Sequence, residues 1–240
     1  MARIENLHEF KLRTEWFSMD SLHLKDGRFI TNGSLKDKVD EEGRLKPFGG
    51  NTIIFWLDED SRERLTDIQL QLYTRCGHLL AVPLHPSTFH MTLHDLRSGA
   101  PGPELTAQVE KSGKAVMALL DGIRENGVAQ IKMRAEYLFN MMNTSVVVGL
   151  SPVDEENCTG LMALYELFQG IDMVRLPYQL TPHITMAYYR PGVYMEKELS
   201  GLKAAICDVN RELRYLKPLE IELSTEQLVY QRFTDMNHYF

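Results

Sequence analysis

The sequence predicts an α+β fold of two similar lobes, each of antiparallel sheet plus helices, around a central cleft. Three observations carry that expectation. Strand and helix patterns follow in the same order in both halves. Each half includes a short strand bearing a His-apolar-Thr triplet, and no short repeat period or low-complexity tract interrupts the pattern.

Residues 1–50 differ from the rest. Charge is scattered through Lys36-Asp37-Lys38-Val39-Asp40-Glu41-Glu42, and turn signals fall at Gly27, Asn32-Gly33, Gly43 and Gly49-Gly50. They read as an N-terminal extension, a solvated arm lying on the surface with a short helix near 9–19. The regular domain is expected over 51–240. Thr52-Ile53-Ile54-Phe55-Trp56-Leu57 is a buried strand by its β-branched and aromatic run. Asp60-Ser61-Arg62-Glu63 reads as a capping box that opens a helix, with Leu65, Ile68 and Leu72 on one face and Gly77 closing it. After a loop with Pro83 and Pro86, a short strand covers 88–95. A helix of roughly 103–126 follows, Val109, Val116, Leu120 and Ile123 inward.

The second half has strands near 129–140 and 144–150, a helix near 154–169 and a strand at 182–189. A helix over about 196–215 follows, its Leu199, Leu202, Ile206, Val209 and Leu213 at helical spacing, then strands near 219–223 and 227–231. Phe139-Asn140-Met141-Met142-Asn143 reads as a hairpin turn without chemistry, and Phe48-Gly49-Gly50-Asn51 as a plain turn.

A formal charge of −7 and a pI near 5.6 argue against coating long nucleic acid, which clustered Lys and Arg would drive. A short nucleotide in a local pocket remains compatible. The first residues lack the apolar run of a signal peptide, and no stretch approaches the ~18 apolar residues that span a bilayer. Cys76, Cys158 and Cys207 are far apart and lack Cys-x-x-Cys spacing, so neither a disulfide framework nor a cysteine zinc site is expected. A cytoplasmic protein, with no membrane partner, is the natural reading; oligomeric state is not legible.

The chemistry lies in Thr88-Phe89-His90-Met91-Thr92-Leu93 and Thr181-Pro182-His183-Ile184-Thr185-Met186. On a strand, residues i and i+2 share a face, so each triplet sets an imidazole beside a hydroxyl and turns its apolar residues inward. Among eight histidines, chance supplies roughly 0.09 such matches, so two in matching halves form a strong signal. Displacement at a phosphodiester needs a base for the incoming oxygen and an acid for the leaving one, on opposite sides. Imidazole performs either task near neutrality, and hydroxyls can donate to the non-bridging oxygens. His90 and His183 are therefore the candidate catalytic residues and Thr92 and Thr185 the candidate phosphate-binding ones. The pattern does not distinguish acid from base.

These motifs resemble those of the 2H phosphoesterase superfamily, the LigT-like and cyclic-phosphodiesterase proteins. Leu80-Ala81-Val82-Pro83 with Ser87–Leu93 looks like the family's approach to its first motif, and Pro182–Ala187 is similar to its second. Leu228-Val229-Tyr230-Gln231, with Tyr239 soon after, is similar to its last strand and tail. The likeness covers about 51–240. It implies a bilobal fold with a central cleft and action on phosphodiesters: 2′,3′-cyclic nucleotides, ADP-ribose cyclic phosphates, RNA ends or 2′,5′-linked oligonucleotides. His90, Thr92, His183 and Thr185 match residue by residue. Where many members have Arg after the second motif's Ala, this chain has Tyr188, with Arg190 two residues later.

No cofactor is implied. His78, His85, His90 and His94 lack a spacing that gathers three metal ligands on one element, and His94 shares the face of His90 but lies about 13 Å along the strand. Tyr189, on the face of His183 and Thr185 by simple alternation, is the candidate for stacking on a base. The rival of the phosphodiesterase reading is a nucleotide- or RNA-end-binding protein that keeps the pocket without turnover.

Overall fold

The run Thr52-Ile53-Ile54-Phe55 is buried on both faces, as a strand in the middle of a sheet must be. The computed structural model, which describes residues 5–19, 22, 24–127 and 129–240, places it in β3. In chain order the elements are α1 (Leu7–Met19), β1 (Leu24–Lys25), β2 (Arg28–Ile30), β3 (Gly49–Trp56), α2 (Glu59–Cys76), β4 (His90–Gly99) and α3 (Pro103–Glu125). Then come β5 (Gln130–Met141), β6 (Ser145–Pro152), α4 (Glu155–Gln169), β7 (His183–Tyr188), β8 (Val193–Met195), α5 (Ser200–Arg211), β9 (Glu220–Ser224), β10 (Leu228–Asp235) and β11 (His238–Tyr239).

Two four-stranded antiparallel sheets form the lobes, in the orders β11-β10-β3-β4 and β7-β6-β5-β9. The histidine strands β4 and β7 are each an edge strand of one sheet, and these edges approach each other. The α+β, two-lobed expectation holds. α3 covers the first sheet with Val109, Val116, Leu120 and Ile123 inward. The buried Asn51 amide ties it down, donating to the Val109 carbonyl at 3.1 Å and the Ser112 hydroxyl at 2.9 Å. Gly50 is obligatory beside it, since a Cβ there would meet the Arg97 carbonyl oxygen at 2.3 Å.

The faces of the second sheet divide sharply. Leu138 exchanges hydrogen bonds with Asn210 of α5, whereas Tyr137 donates to the Thr14 carbonyl of α1 at 2.6 Å and Phe139 packs on Phe17 at 5.4 Å. Directly opposite residues share a face, so the row Phe139–Val147–Thr185 continues the α1 side to the cleft.

Several expectations need correction. The helix after β3 is capped by Asp58, whose carboxylate accepts from the Ser61 amide at 2.7 Å, so the capping box at Asp60 does not form. The expected helix over 196–215 is regular only in α5, with a 3₁₀ turn at Glu196–Leu199 before it and a π turn at Glu212–Leu216 after it. Residues before β3 are no solvated arm. Phe10, Phe29, Leu35, Val39 and Phe48 are buried in the same core as the lobes. β1 and β2 pair with β8 into a three-stranded sheet that the sequence reading lacked. These strands are only two or three residues long, too short for a period of 2 or 3.6 to mark them.

Candidate active site

Both histidines reach the cleft by the same construction. In β4, Trp56 lies opposite His90 and Ile54 opposite Thr92; in β7, Gly149 lies opposite His183 and Val147 opposite Thr185. Met91, Leu93, Ile184 and Met186 are buried beneath, as the alternation requires. His90 Nδ1–H donates to the Thr88 carbonyl at 2.6 Å, and His183 Nδ1–H donates to the Thr181 carbonyl at 2.7 Å. A carbonyl only accepts, so Nδ1 must carry the proton and Nε2 is the basic nitrogen of each neutral ring. The Thr92 and Thr185 hydroxyls are half-buried, line the cleft and have no protein partner among the described residues.

The four motif residues line one cleft of about 620 Å³. Both imidazoles are held below the ordinary histidine pKa. Burial is the largest cause for His90, which falls to about 4; the Thr88 hydrogen bond and Asp95 oppose that, while His183 adds to it. His183 is lowered chiefly by burial, with Lys38 adding to the effect and the Thr181 bond and Asp95 opposing it. The rings of Trp56 and Tyr239 pack steeply inclined against the His90 ring, with centroids 5.7 and 5.0 Å away.

Each motif is followed by a β-bulge. Leu93 is the extra residue in β4, and Met186 the extra residue in β7. Side chains bond the backbone at both bulges: the buried Gln69 amide donates to the Met186 carbonyl at 3.0 Å, and the Thr52 hydroxyl to the His94 carbonyl, next to Leu93, at 3.2 Å. Each bulge reverses the alternation, so Asp95 and Tyr188, both three positions past the motif threonine, line the cleft.

That corrects two residues. Tyr189, the candidate for base stacking, is 0% exposed and packs edge-on against Phe29 at 5.0 Å in the core. The bulge turns it inward and gives Tyr188 its place on the cleft wall. His94, thought to share the face of His90, is 1% exposed and lies against Tyr165 and Phe168. His85 is exposed and bonded to Ser87, and among the described residues no group of three His, Cys, Asp or Glu is placed to hold a metal. Arg190 points away from the cleft, its Nε donating to the Glu41 carbonyl at 2.7 Å.

Residues outside the motifs complete the walls. Phe17, Lys38 and Phe48 come from the segment before β3, Met141 from the end of β5, Met142 from the turn after it, and Tyr178 from the loop before β7. Tyr178 donates to the Asp95 carboxylate at 3.0 Å. Arg97 lines the far end, its guanidinium donating to the carbonyls of Leu96 and Met173. Spacing alone could not find them, because turns and bulges rather than periodicity aim these side chains.

No family model and no curated protein matches the chain. Solved structures do. A conserved protein of unknown function, ATU0111 from Agrobacterium tumefaciens, is 18% identical, with a TM-score of 0.62 over 90% of this chain and 92% of that one. The two share a fold. Looser likeness reaches TT0787 of Thermus thermophilus, 16% identical with a TM-score of 0.44 over 79% of this chain and 93% of that one. It also reaches E. coli LigT complexed with 3′-AMP, 15% identical with a TM-score of 0.40 over 59% of this chain and 73% of that one. Likeness at that level says nothing of substrate here. Among the described residues, no helix is long and apolar enough to cross a membrane.

Proposed function

We propose that the chain is a phosphodiesterase whose chemistry is done by His90, His183, Thr92 and Thr185, without a metal ion or cofactor. The observation that carries this reading is the matched pair of imidazoles. Both have Nδ1–H pinned to the carbonyl two residues back, and both leave Nε2 for the cleft. A nucleotide-type diester suits the volume and aromatic walls, with a 2′,3′-cyclic phosphate or a short oligonucleotide linkage as the substrate class.

The phosphate sits between the strands, its non-bridging oxygens accepting from the threonine hydroxyls. One neutral imidazole takes a proton at Nε2 from the attacking water as the new P–O bond forms. The other, as imidazolium, gives its Nε2 proton to the leaving oxygen as the old P–O bond breaks. The Nδ1–H bonds stay in place throughout and keep both rings aimed. Both pKa values are held low by burial, and the charge of a bound phosphate favours the imidazolium that the acid step needs.

The test is turnover of purified protein against 2′,3′-cyclic nucleotides and 2′,5′- and 3′,5′-linked dinucleotides, with and without EDTA. Turnover unaffected by chelator is the expected result. Loss with EDTA and recovery with a divalent metal points to a metallohydrolase. Tight nucleotide binding without turnover of any diester points to a binding protein.

A further inference from the structure

Among the described residues two cations line the cleft, Lys38 and Arg97, and Arg97 spends its guanidinium on the Leu96 and Met173 carbonyls. Lys38 follows a 3₁₀ turn at Gly33–Asp37, and its half-buried side chain enters the same cleft as the two histidines. Its Nζ lies 5.1 Å from the centre of the Phe48 ring and 5.4 Å from that of Tyr188. No carboxylate pairs with it among the described residues, whereas Arg13, Arg44, Arg75 and Lys203 all have acidic partners. Two aromatic faces supply attraction without neutralising the charge.

The backbone around it is held from several sides. The Lys38 amide donates to the Leu35 carbonyl at 2.9 Å, and its carbonyl accepts from the Lys46 amide at 2.9 Å. Val39, next in the chain, is fully buried and bridges to Leu45. Gly43 of the same loop accepts from the Val82 amide at 2.8 Å. An ammonium group without a carboxylate partner, in the cleft that also holds the two imidazoles and the two threonine hydroxyls, is suited to an anion.

We infer that Lys38 is the cleft's anion-binding cation on the His183 side, holding a non-bridging oxygen of the bound phosphate together with Thr185. The loop 31–48 is then part of the active site rather than an appendage. This rests on the phosphodiesterase reading for its role in turnover, but the anion site itself does not need turnover to be seen. Its positive charge also acts on His183. The groups that face that imidazole are His90 and Asp95 from β4, Lys38 from the loop, and Arg13 of α1, which reaches Thr181 at 3.4 Å and is paired with Glu5. Of these, Lys38 disfavours the imidazolium, so removing its charge raises the His183 pKa.

The experiment is an NMR titration of the histidine imidazoles in the full chain for wild type, Lys38→Met and Lys38→Arg, each repeated with inorganic phosphate. Methionine keeps an unbranched apolar stem between the rings and deletes the charge; arginine restores the charge. In Lys38→Met, His183 should titrate at higher pH and phosphate should bind about tenfold more weakly, the usual worth of one charged hydrogen bond. Lys38→Arg should return both towards wild type. An unchanged His183 titration with unchanged phosphate affinity in a folded Lys38→Met protein overturns the assignment. So does a loss that arginine fails to rescue, which marks a packing role. Failure of every diester to turn over, with these NMR results intact, removes the phosphodiesterase reading and leaves the anion site.

Discussion

β4 and β7 make a natural comparison, because the chain has solved one problem twice. Each is an edge strand, each pins a histidine by Nδ1–H to the carbonyl two residues back, and each bulges right after its threonine. Past the bulge they diverge. Three positions after the threonine, β4 offers the carboxylate of Asp95 and β7 the ring of Tyr188, while the rings of Trp56 and Tyr239 pack against His90 and Lys38 lowers the pKa of His183. Shared parts fit what any in-line displacement requires on both sides of phosphorus. Unlike parts are where an asymmetric substrate would be oriented.

The largest effects should come from the shared parts. Replacing His90 or His183 with Ala should lower turnover by about 10²–10⁴-fold, as loss of a positioned acid or base does. The double variant should be scarcely worse than the worse single, since both act in one step. Additive losses measured in steady-state kinetics would separate their roles and break the symmetry.

Next are the hydroxyls. Thr92→Val and Thr185→Val keep shape and remove one donor, and each should lower kcat by about 10²-fold with little change in KM if the donor serves the transition state. A change confined to KM would make them ground-state contacts.

Tyr188 and Tyr189 then test the bulge. Tyr188→Ala opens the cleft wall and should raise KM for a nucleotide substrate. The Tyr189 hydroxyl is buried without a partner among the described residues, so Tyr189→Phe should leave kinetics unchanged and keep or slightly raise the melting temperature. The reverse outcome would mean that β7 alternates without interruption in solution.

The smallest effect concerns stability. His90 has a folded pKa of about 4 against an unfolded value near 6.5, so the unfolded chain binds more protons between those values. The neutral ring's contribution is complete above about pH 6.5 and is lost as pH falls towards 4. Denaturant titrations should show His90→Gln losing less stability than wild type over that window.

Much of the fold is legible because β3, α3, α4 and the histidine strands have apolar residues at regular spacing, and the motifs themselves repeat. The bulges are not legible. Nothing in Leu93 or Met186 distinguishes an extra residue from an ordinary inward one, and the side chains that bond the backbone there, Thr52 to His94 and Gln69 to Met186, are remote in sequence. One such residue moves the side chains that directly follow it to the other face, so simple alternation assigns Tyr189 and His94 to the cleft in place of Tyr188 and Asp95. Lys38 was hidden differently. In a run of alternating charges it looks solvated, and only the burial of Val39 and Leu35 on either side reveals a loop fixed against the core.

The pH dependence of kcat/KM, measured with EDTA present for wild type and for each single histidine variant, tests the paired-imidazole chemistry most directly. Because both imidazoles are held low in the free protein, wild type should give a bell with its maximum below pH 6.5. Each histidine variant should retain residual activity with one limb missing. A bell that survives unchanged in His90→Ala or His183→Ala, or activity that disappears with chelator, would contradict it.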